Sequence, residues 1–479
     1  MKLSSLYTAL LVFTLASCEE AFLDLAPISS ANANTFYETP SDMLLALNGA
    51  YGALQLPGQY GNFFIVSEIP SDDTAPPLSG SITNQDEFDK FYLRTTNPIL
   101  AERWSDGYRG IYRCNTLLDR ILIVPMEETL KMRFIGEAKF LRALMYFNLV
   151  RIFDGVPLVL KEIKNTEEGY DYGRASAMEV YAQIIKDLEE AELTLPQTYA
   201  GTDVGRATSG AAKAVLGKVY LTLKQYPEAE NKLKEVMEME SQGTYGLLPN
   251  YADVFKTANK NGKESVFAVQ YTKGNLGEGS GFANLYAPQV SGNAVILFGG
   301  DGNNRPTTDL ENAYEQGDVR KDVSMASSYV NEQGAKIDFY YVKKYAGTPV
   351  VKYDSEDNWP VIRFADVILM YAEALNETGK TSEALPLLNR IRERAKLLAK
   401  ETLAQQEMRF ALEQERRVEL AFEGHRWFDL IRTGRALEVL NSKASTIGIA
   451  NTLTEKNLIF PVPQSQIDVN PSRIVQNPL

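Results

Sequence analysis

Residues 209–240 read SGAAKAVLGKVYLTLKQYPEAENKLKEVMEME. Apolar residues recur here at spacings of three and four, which sets them along one stripe of a helix. The stretch reads as a pair of helices, from about Ser209 to Glu240. The small residues on it let the two helices approach closely, and Tyr220 fills the space between them.

Leu216, Gly217, Tyr220 and Ala229 fall at the offsets of a tetratricopeptide repeat. A second pair is expected from about Ile362 to Lys400, with Ala372, Ala384, Leu388 and Ile391 at comparable offsets and Gly379-Lys380-Thr381 as its turn. The two are expected as degenerate repeats far apart in sequence, not as a continuous array. Upstream, Leu130, Phe134, Ala138, Leu141, Met145, Leu149 and Ile152 keep one face apolar for about six turns. That helix should stop at Asp154-Gly155, with Gly155 as a left-handed cap and Pro157 beyond. Ser176 and Glu179 form a capping-box pattern opening a helix through about Leu193, which Pro196 ends.

Between about 243 and 358 the character changes, and Gly, Asn, Ser, Pro and Tyr become frequent. Gly274 to Gly281 and Gly299 to Asn304 read as loops, and Ser265 to Gln270 as a short strand. A further irregular stretch runs from Leu56 to Ser81. Loop-rich regions of this length inside a compact protein are usually functional. The expected fold is mainly α: tetratricopeptide-like helix pairs forming a superhelical scaffold, with a long loop-rich ligand-facing region and a few short strands. The expected division is 1–17 signal peptide, 18–40 lipidated tether, 41–242 N-terminal helical region, 243–358 loop-rich region and 359–479 C-terminal helical region.

The N-terminal segment is read separately. Met1-Lys2 is a basic head, and Leu6 to Ala16 is an apolar run broken by Thr8 and Thr14. It is shorter than the roughly 20 residues a bilayer span needs and fits the core of a secretory signal. Leu15-Ala16-Ser17-Cys18 resembles a bacterial lipobox, which makes Cys18 the expected lipidation site. Glu19-Glu20 just beyond it resembles the export signal of surface lipoproteins. No transmembrane helix is expected elsewhere.

Net charge is −13, a surface that repels nucleic-acid phosphates. With Cys18 lipidated, Cys114 has no partner for a disulfide and is expected as a small buried hydrophobe. His425 is the single histidine, so a histidine pair for zinc is excluded and HExxH is absent. A Ser–His–Asp triad would have to use His425, and no GxSxG elbow exists. Asp354, Glu356 and Asp357 lack the spacing of a calcium loop and read as a solvated acidic stretch. No metal or cofactor is expected.

One helix is expected from about Gln406 to Arg432, with Arg416–Glu419, Glu423–Arg426, Arg426–Asp429 and Asp429–Arg432 as opposite charges three apart. Glu419 and Glu423 are weighed as an acid–base pair and read instead as ion-paired packing. A glycosidase needs its carboxyls on opposite sides of a sugar, about 5 Å or more apart.

This same segment, Glu415-Arg416-Arg417-Val418-Glu419-Leu420-Ala421-Phe422-Glu423-Gly424-His425-Arg426-Trp427-Phe428-Asp429-Leu430, resembles the hallmark of the SusD/RagB family. So do Ile362–Ala374, Leu388-Asn389-Arg390-Ile391-Arg392, Glu137–Phe147, Gly155-Val156-Pro157-Leu158, Phe460-Pro461-Val462-Pro463 and Gln476-Asn477-Pro478, in that family's order. The resemblance implies a mostly helical surface lipoprotein of the outer membrane. It implies a lid over a SusC-like TonB-dependent transporter, importing oligosaccharides or, in some branches, peptides. A helical interaction scaffold without a small ligand is the other reading, and a glycosidase on helices a third.

A pyranose packs its apolar face on an aromatic ring, so loop aromatics are the candidate ligand contacts: Tyr60, Phe63, Phe64, Tyr286, Phe298 and Trp359. Asp72, Asp73 and Arg305 are the candidate hydrogen-bonding partners. Trp359 precedes Pro360 at the expected mouth of a helix, while Trp104 and Trp427 lie in helical patterns and are expected in the core. The family's ligand residues carry no motif that maps onto this chain.

Overall fold

The computed structural model describes residues 36–79 and 81–478; the signal segment and Cys18 lie outside them. The helices that carry the architecture are α1 (Pro40–Gly52), α2 (Pro98–Arg120), α3 (Glu128–Phe153), α4 (Ala177–Thr194), α5 (Ser209–Thr222) and α6 (Tyr226–Glu238). After the loop-rich insertion come α7 (Phe364–Glu377), α8 (Thr381–Arg394), α9 (Gln405–Glu419) and α10 (Arg426–Arg432).

Each of these helices packs on the next: α2 on α3, α3 on α4, α4 on α5, α5 on α6, α6 on α7 and α7 on α8 and α9. The repeats are therefore neighbours in one array, not the separated pairs that the sequence suggested. Residues 239–363 are looped out between α6 and α7. Chain-closure entropy rises only slowly with loop length, about 0.6 kcal/mol per doubling, so so long an excursion costs the array little. Gly217 does what its position promised: a Cβ there would stand 2.7 Å from Leu233 Cδ2, so α5 and α6 touch through its bare backbone. Tyr220 reaches further than expected and donates to Glu189 of α4 at 3.2 Å.

Several boundaries follow their signals. The Ser176–Glu179 capping box is formed, and Gly379 takes φ 81° in the turn between α7 and α8. Others do not. At the end of α3 it is Asp154 that takes positive φ (62°), not Gly155. Gly155 is needed for room, since a Cβ there would lie 2.3 Å from the carbonyl oxygen of Ala175. The long helix expected to Arg432 breaks after Glu419, and Phe422 and Gly424 turn the chain at φ 66° and 81° before α10 begins.

The insertion is fastened at its neck. Strands β2 (Ser265–Val269) and β6 (Trp359–Arg363) pair antiparallel, with Ser265 opposite Arg363 and Val269 opposite Trp359. Trp359 is thus in a strand, and the helix begins only at Phe364. Strands β4 (Met325–Val330) and β5 (Lys336–Val342) form a hairpin, and β1 (Thr74–Ala75) pairs with β3 (Arg305–Pro306). That last pairing stitches the insertion to the N-terminal irregular segment. Trp104, Trp427 and Cys114 are buried as expected, and burial pushes the Cys114 thiol up to about 12. Among the described residues, no helix is long and apolar enough to cross a membrane.

Candidate functional site

Most of the aromatic candidates lie in the interior. Tyr60, Phe63, Phe64, Tyr286 and Trp359 are all buried and share one ring cluster. Phe63 packs on Tyr60 (5.0 Å between centroids), Phe428 (5.9 Å) and Trp359 (6.4 Å). Tyr345 stacks on Trp359 at 5.7 Å, Phe282 meets it at 5.1 Å, Tyr286 joins through Tyr345 at 5.6 Å, and Phe64 joins through Tyr286 at 5.4 Å. The loops fold back over these rings because each ring removes some 150–250 Å² of surface from water when it is covered. None of the five offers an open face to a sugar.

Asp72 and Asp73 are also buried. Asp72 pairs with Arg426 (2.8 Å), Arg417 (3.1 Å) and Lys443 (2.6 Å), and Asp73 with Arg417 (2.6 Å). Burial opposes ionisation of Asp72, but those three cations outweigh it and hold its carboxyl well below the usual range. The two aspartates bind the N-terminal segment to α9 and α10 rather than facing a ligand.

The block that resembles the family hallmark is a buried ion network. Glu419 meets Arg320 and Arg363 at 3.1 Å each, and also Arg394. Glu423 meets Arg363 at 2.6 Å and Lys344 at 2.8 Å. Glu415 holds Arg320 (2.6 Å) and Arg392 (3.1 Å), and Glu264 holds Arg363 (2.6 Å) and Arg394 (2.7 Å). Burial would raise the Glu419 carboxyl, and the surrounding arginines override it and bring it down to about 2. The ion-paired reading of these glutamates therefore stands, with partners contributed from distant segments rather than from three residues away along a helix. Of the expected near pairs, Asp429–Arg432 is made at 2.8 Å, while Arg416 turns instead to Asp366 (2.7 Å) and Asp429 (3.0 Å).

His425 is buried against Lys218, whose Nζ lies 2.8 Å from Nδ1. Burial and that neighbouring cation push the imidazole down to about 3, so it is neutral at physiological pH. The Asp354–Asp357 stretch is not solvated. Asp354 accepts the backbone N–H groups of Gly274 and Asn275 at 2.8 Å, and Asp357 accepts the Ser355 hydroxyl at 2.6 Å and the backbone N–H of Gly347 at 3.0 Å. Among the described residues, no group of three or more His, Cys, Asp or Glu side chains is arranged to hold a metal ion. A cavity of ≈ 350 Å³ lies beside α7, α9 and α10, but Arg416, Arg432, Asp429 and Glu373 on its wall are already paired with one another.

What remains open is a shelf on the loop-rich face. Phe298 is 48% exposed and Tyr353 43% exposed. Both are held at positive φ, 68° and 67°, a conformation that bulky residues rarely adopt and that concentrates at functional sites. One buried side chain holds both loops. Asn284, in the short helix Phe282–Tyr286, donates from Nδ2 to the carbonyls of Leu297 (2.9 Å) and Gly299 (2.8 Å), on either side of Phe298. Its Oδ1 accepts the N–H of Tyr353 at 3.0 Å. Asp301 completes the frame, accepting the Tyr353 hydroxyl at 2.7 Å and Lys352 Nζ at 2.8 Å. The Phe298 loop is tied to the β4–β5 hairpin by Asn293, whose N–H donates to Glu332 at 2.9 Å.

Of the nine ligand candidates read from the sequence, only Phe298 is part of this shelf; Arg305 is part-exposed on β3, and the other seven are buried. Tyr353, Asn284, Asp301 and Lys352 were missed. The one sequence signal for Tyr353 is a tyrosine inside a charged loop, Lys352-Tyr353-Asp354.

The sequence matches the SusD family over residues 221–479, and residues 22–221 match a group described as starch-binding and associating with the outer membrane. "SusD-like protein P25" of Formosa agariphila is 29% identical, over 96% of this chain and 95% of that protein. A "SusD-like protein" of Bacteroides ovatus is 27% identical, over 91% of this chain and 83% of that one. Among solved structures, a "Laminarin binding SusD-like protein" is 31% identical with a TM-score of 0.79, covering 92% of this chain and 100% of its own. Surface glycan-binding protein A of Bacteroides thetaiotaomicron, in complex with laminarihexaose, shares the fold at a TM-score of 0.80 and 23% identity, over 92% of this chain and 99% of that one. With the helical array, the ion-paired hallmark block and these matches in agreement, this chain is a member of the SusD family.

Proposed function

We propose that this protein binds a glycan noncovalently on its loop-rich face, with Phe298 and Tyr353 as stacking rings, and delivers it to a SusC-like TonB-dependent transporter while lipid on Cys18 holds it at the outer-membrane surface. The observation that carries the reading is the shelf: two exposed aromatic rings, both in strained backbone, fixed by the single amide of Asn284. Strain of this kind is retained where the surrounding structure enforces it. A sugar ring laid on such faces replaces water over apolar surface; Lys352, whose Nζ lies over the Tyr353 ring 4.8 Å from its centroid, and its partner Asp301 are placed to meet hydroxyls. The laminarin-binding and laminarihexaose-bound relatives support a glycan over a peptide. Catalysis has no support: Glu419 and Glu423, the carboxylates weighed as an acid–base pair, are buried and ion-paired with arginines and Lys344.

The test is calorimetry on the soluble chain starting at Glu19, against β-glucan and α-glucan oligosaccharides and a peptide panel. The expected result is glycan binding without turnover, weakened about tenfold by Phe298→Ala or Tyr353→Ala, the loss expected for a stacking ring of about 1.5 kcal/mol. Peptide binding alone, or release of sugar products, overturns it.

A further inference from the structure

Polar side chains go without partners where the shelf runs into the β1–β3 ladder. From Phe298 the loop passes Gly299, Gly302 and Asn304, at φ 76°, 67° and 50°, before entering β3 at Arg305. Asn304 is fully buried, and neither its Oδ1 nor its Nδ2 has a hydrogen-bond partner. Next to it, the part-exposed Arg305 has a buried Nε that is also unpartnered. Gln85 donates from Nε2 to Asn303 Oδ1 at 3.0 Å, which leaves its Oε1 buried and unpartnered. The ladder sets Ala75 opposite Arg305 on its part-exposed face and Thr74 opposite Pro306 on its buried face, so the unpartnered Thr74 Oγ1 points away from Arg305.

Folded proteins leave few buried polar groups unsatisfied, and each one costs about 1–3 kcal/mol. Here three such side chains, Gln85, Asn304 and Arg305, cluster at the segment that follows the Phe298 loop. Arg305 also differs from the arginines of the ion network, each of which has carboxylates against it. The carboxylate whose charge Arg305 feels is Asp89, and Asp89 is already paired with Lys90 at 2.7 Å. The atoms left over define what would satisfy them. Oδ1 of Asn304 and Oε1 of Gln85 are acceptors that want hydroxyl donors. A guanidinium with a free edge matches an oxyanion, which it binds with paired, charge-assisted hydrogen bonds.

We infer that this is a subsite for a glycan carrying an anionic substituent, a carboxylate or a sulfate ester, with Arg305 as its charge partner and Asn304 and Gln85 as hydrogen-bonding partners of the sugar that bears it. The inference rests on the glycan-binding reading and adds the class of glycan. The net charge of −13 does not steer an anion inward, but at physiological salt that field is screened beyond about 8 Å, while a direct ion pair is not.

The test compares three probes on the chain starting at Glu19 by calorimetry: a neutral β-glucan oligosaccharide, an oligogalacturonate, and a sulfated galactan oligosaccharide. At least one acidic probe is expected to bind tenfold or more tighter than the neutral one, and which of the two does so tells carboxylate from sulfate. Arg305→Gln is expected to collapse that ratio toward one, with folding checked by its thermal midpoint. If Arg305→Gln does not fold, the same ratio is read on the unaltered chain as NaCl rises from about 0.05 to about 0.5 M, where it should fall. A neutral probe that binds as tightly as both acidic ones, or an acidic preference untouched by Arg305→Gln or by salt, overturns the inference and leaves glycan binding intact. No binding of any glycan sinks the proposed function itself.

Discussion

Asn284 has no exposed surface, yet its amide makes three hydrogen bonds that hold the Phe298 and Tyr353 loops together. Losing a buried amide of this kind strands its partners, at about 1–3 kcal/mol. Asn284→Ala is therefore expected to lower the thermal midpoint by a few degrees and to cut glycan affinity about tenfold, with Phe298 and Tyr353 untouched. Asn284→Asp keeps the acceptor for Tyr353 but sets a carboxyl oxygen against the Leu297 and Gly299 carbonyls in a fully buried place, and should be at least as damaging. An Asn284→Ala protein that binds as well as the unaltered chain would show that the rings hold their places without it. Little of this was legible beforehand. Trp104, Trp427 and Cys114 could be placed in the core because they sit in helical patterns, where spacing tells inside from outside. Tyr60, Phe63, Phe64 and Tyr286 sit among glycines and prolines, where no period exists, and nothing local says that the loop folds back over them.

Helices with an apolar stripe and a marked end were readable: α5, α6 and the capped α4 lie where their patterns put them. The segment after Glu419 was harder, because charges spaced three apart continue a helical pattern that the backbone abandons. Gly424 makes the break possible. It holds φ 81°, and a Cβ there would stand 2.8 Å from Phe63 Cδ1. The left-handed conformation alone costs a non-glycine residue about 1–2 kcal/mol, and the contact with the buried ring adds to it. Gly424→Ala is expected to lower stability by about 2 kcal/mol or more in urea unfolding, with glycan affinity at the remote shelf little changed. A neutral effect would mean that the turn relaxes freely. The same turn delivers Glu423 to Arg363 and Lys344, so two elements that look like one helix in sequence are the walls of a charge-lined joint.

The family was legible because its short blocks recur in order along the chain, and those blocks turn out to be the packed and ion-paired parts of the scaffold. The proposed ligand face was not, because it lies in a stretch where neither period nor block constrains the residues. The proposed anchor rests on the lipobox alone, so its test is separate from the fold: Cys18→Ala expressed in a bacterial host is expected to leave the outer-membrane fraction and keep its circular dichroism, and continued sedimentation with membranes would refute lipidation at that position. The looped-out segment 239–363 also sets an order of events in biosynthesis. Helix α6 leaves the ribosome long before α7, the neighbour that covers one of its sides. Until the whole insertion has followed, that side has only water or a chaperone to face, and contacts so distant along the chain form slowly. A chain stalled before Phe364 would thus be a sticky fragment of the array, whereas variation inside the insertion can alter what the protein recognises without disturbing the order in which its helices stack.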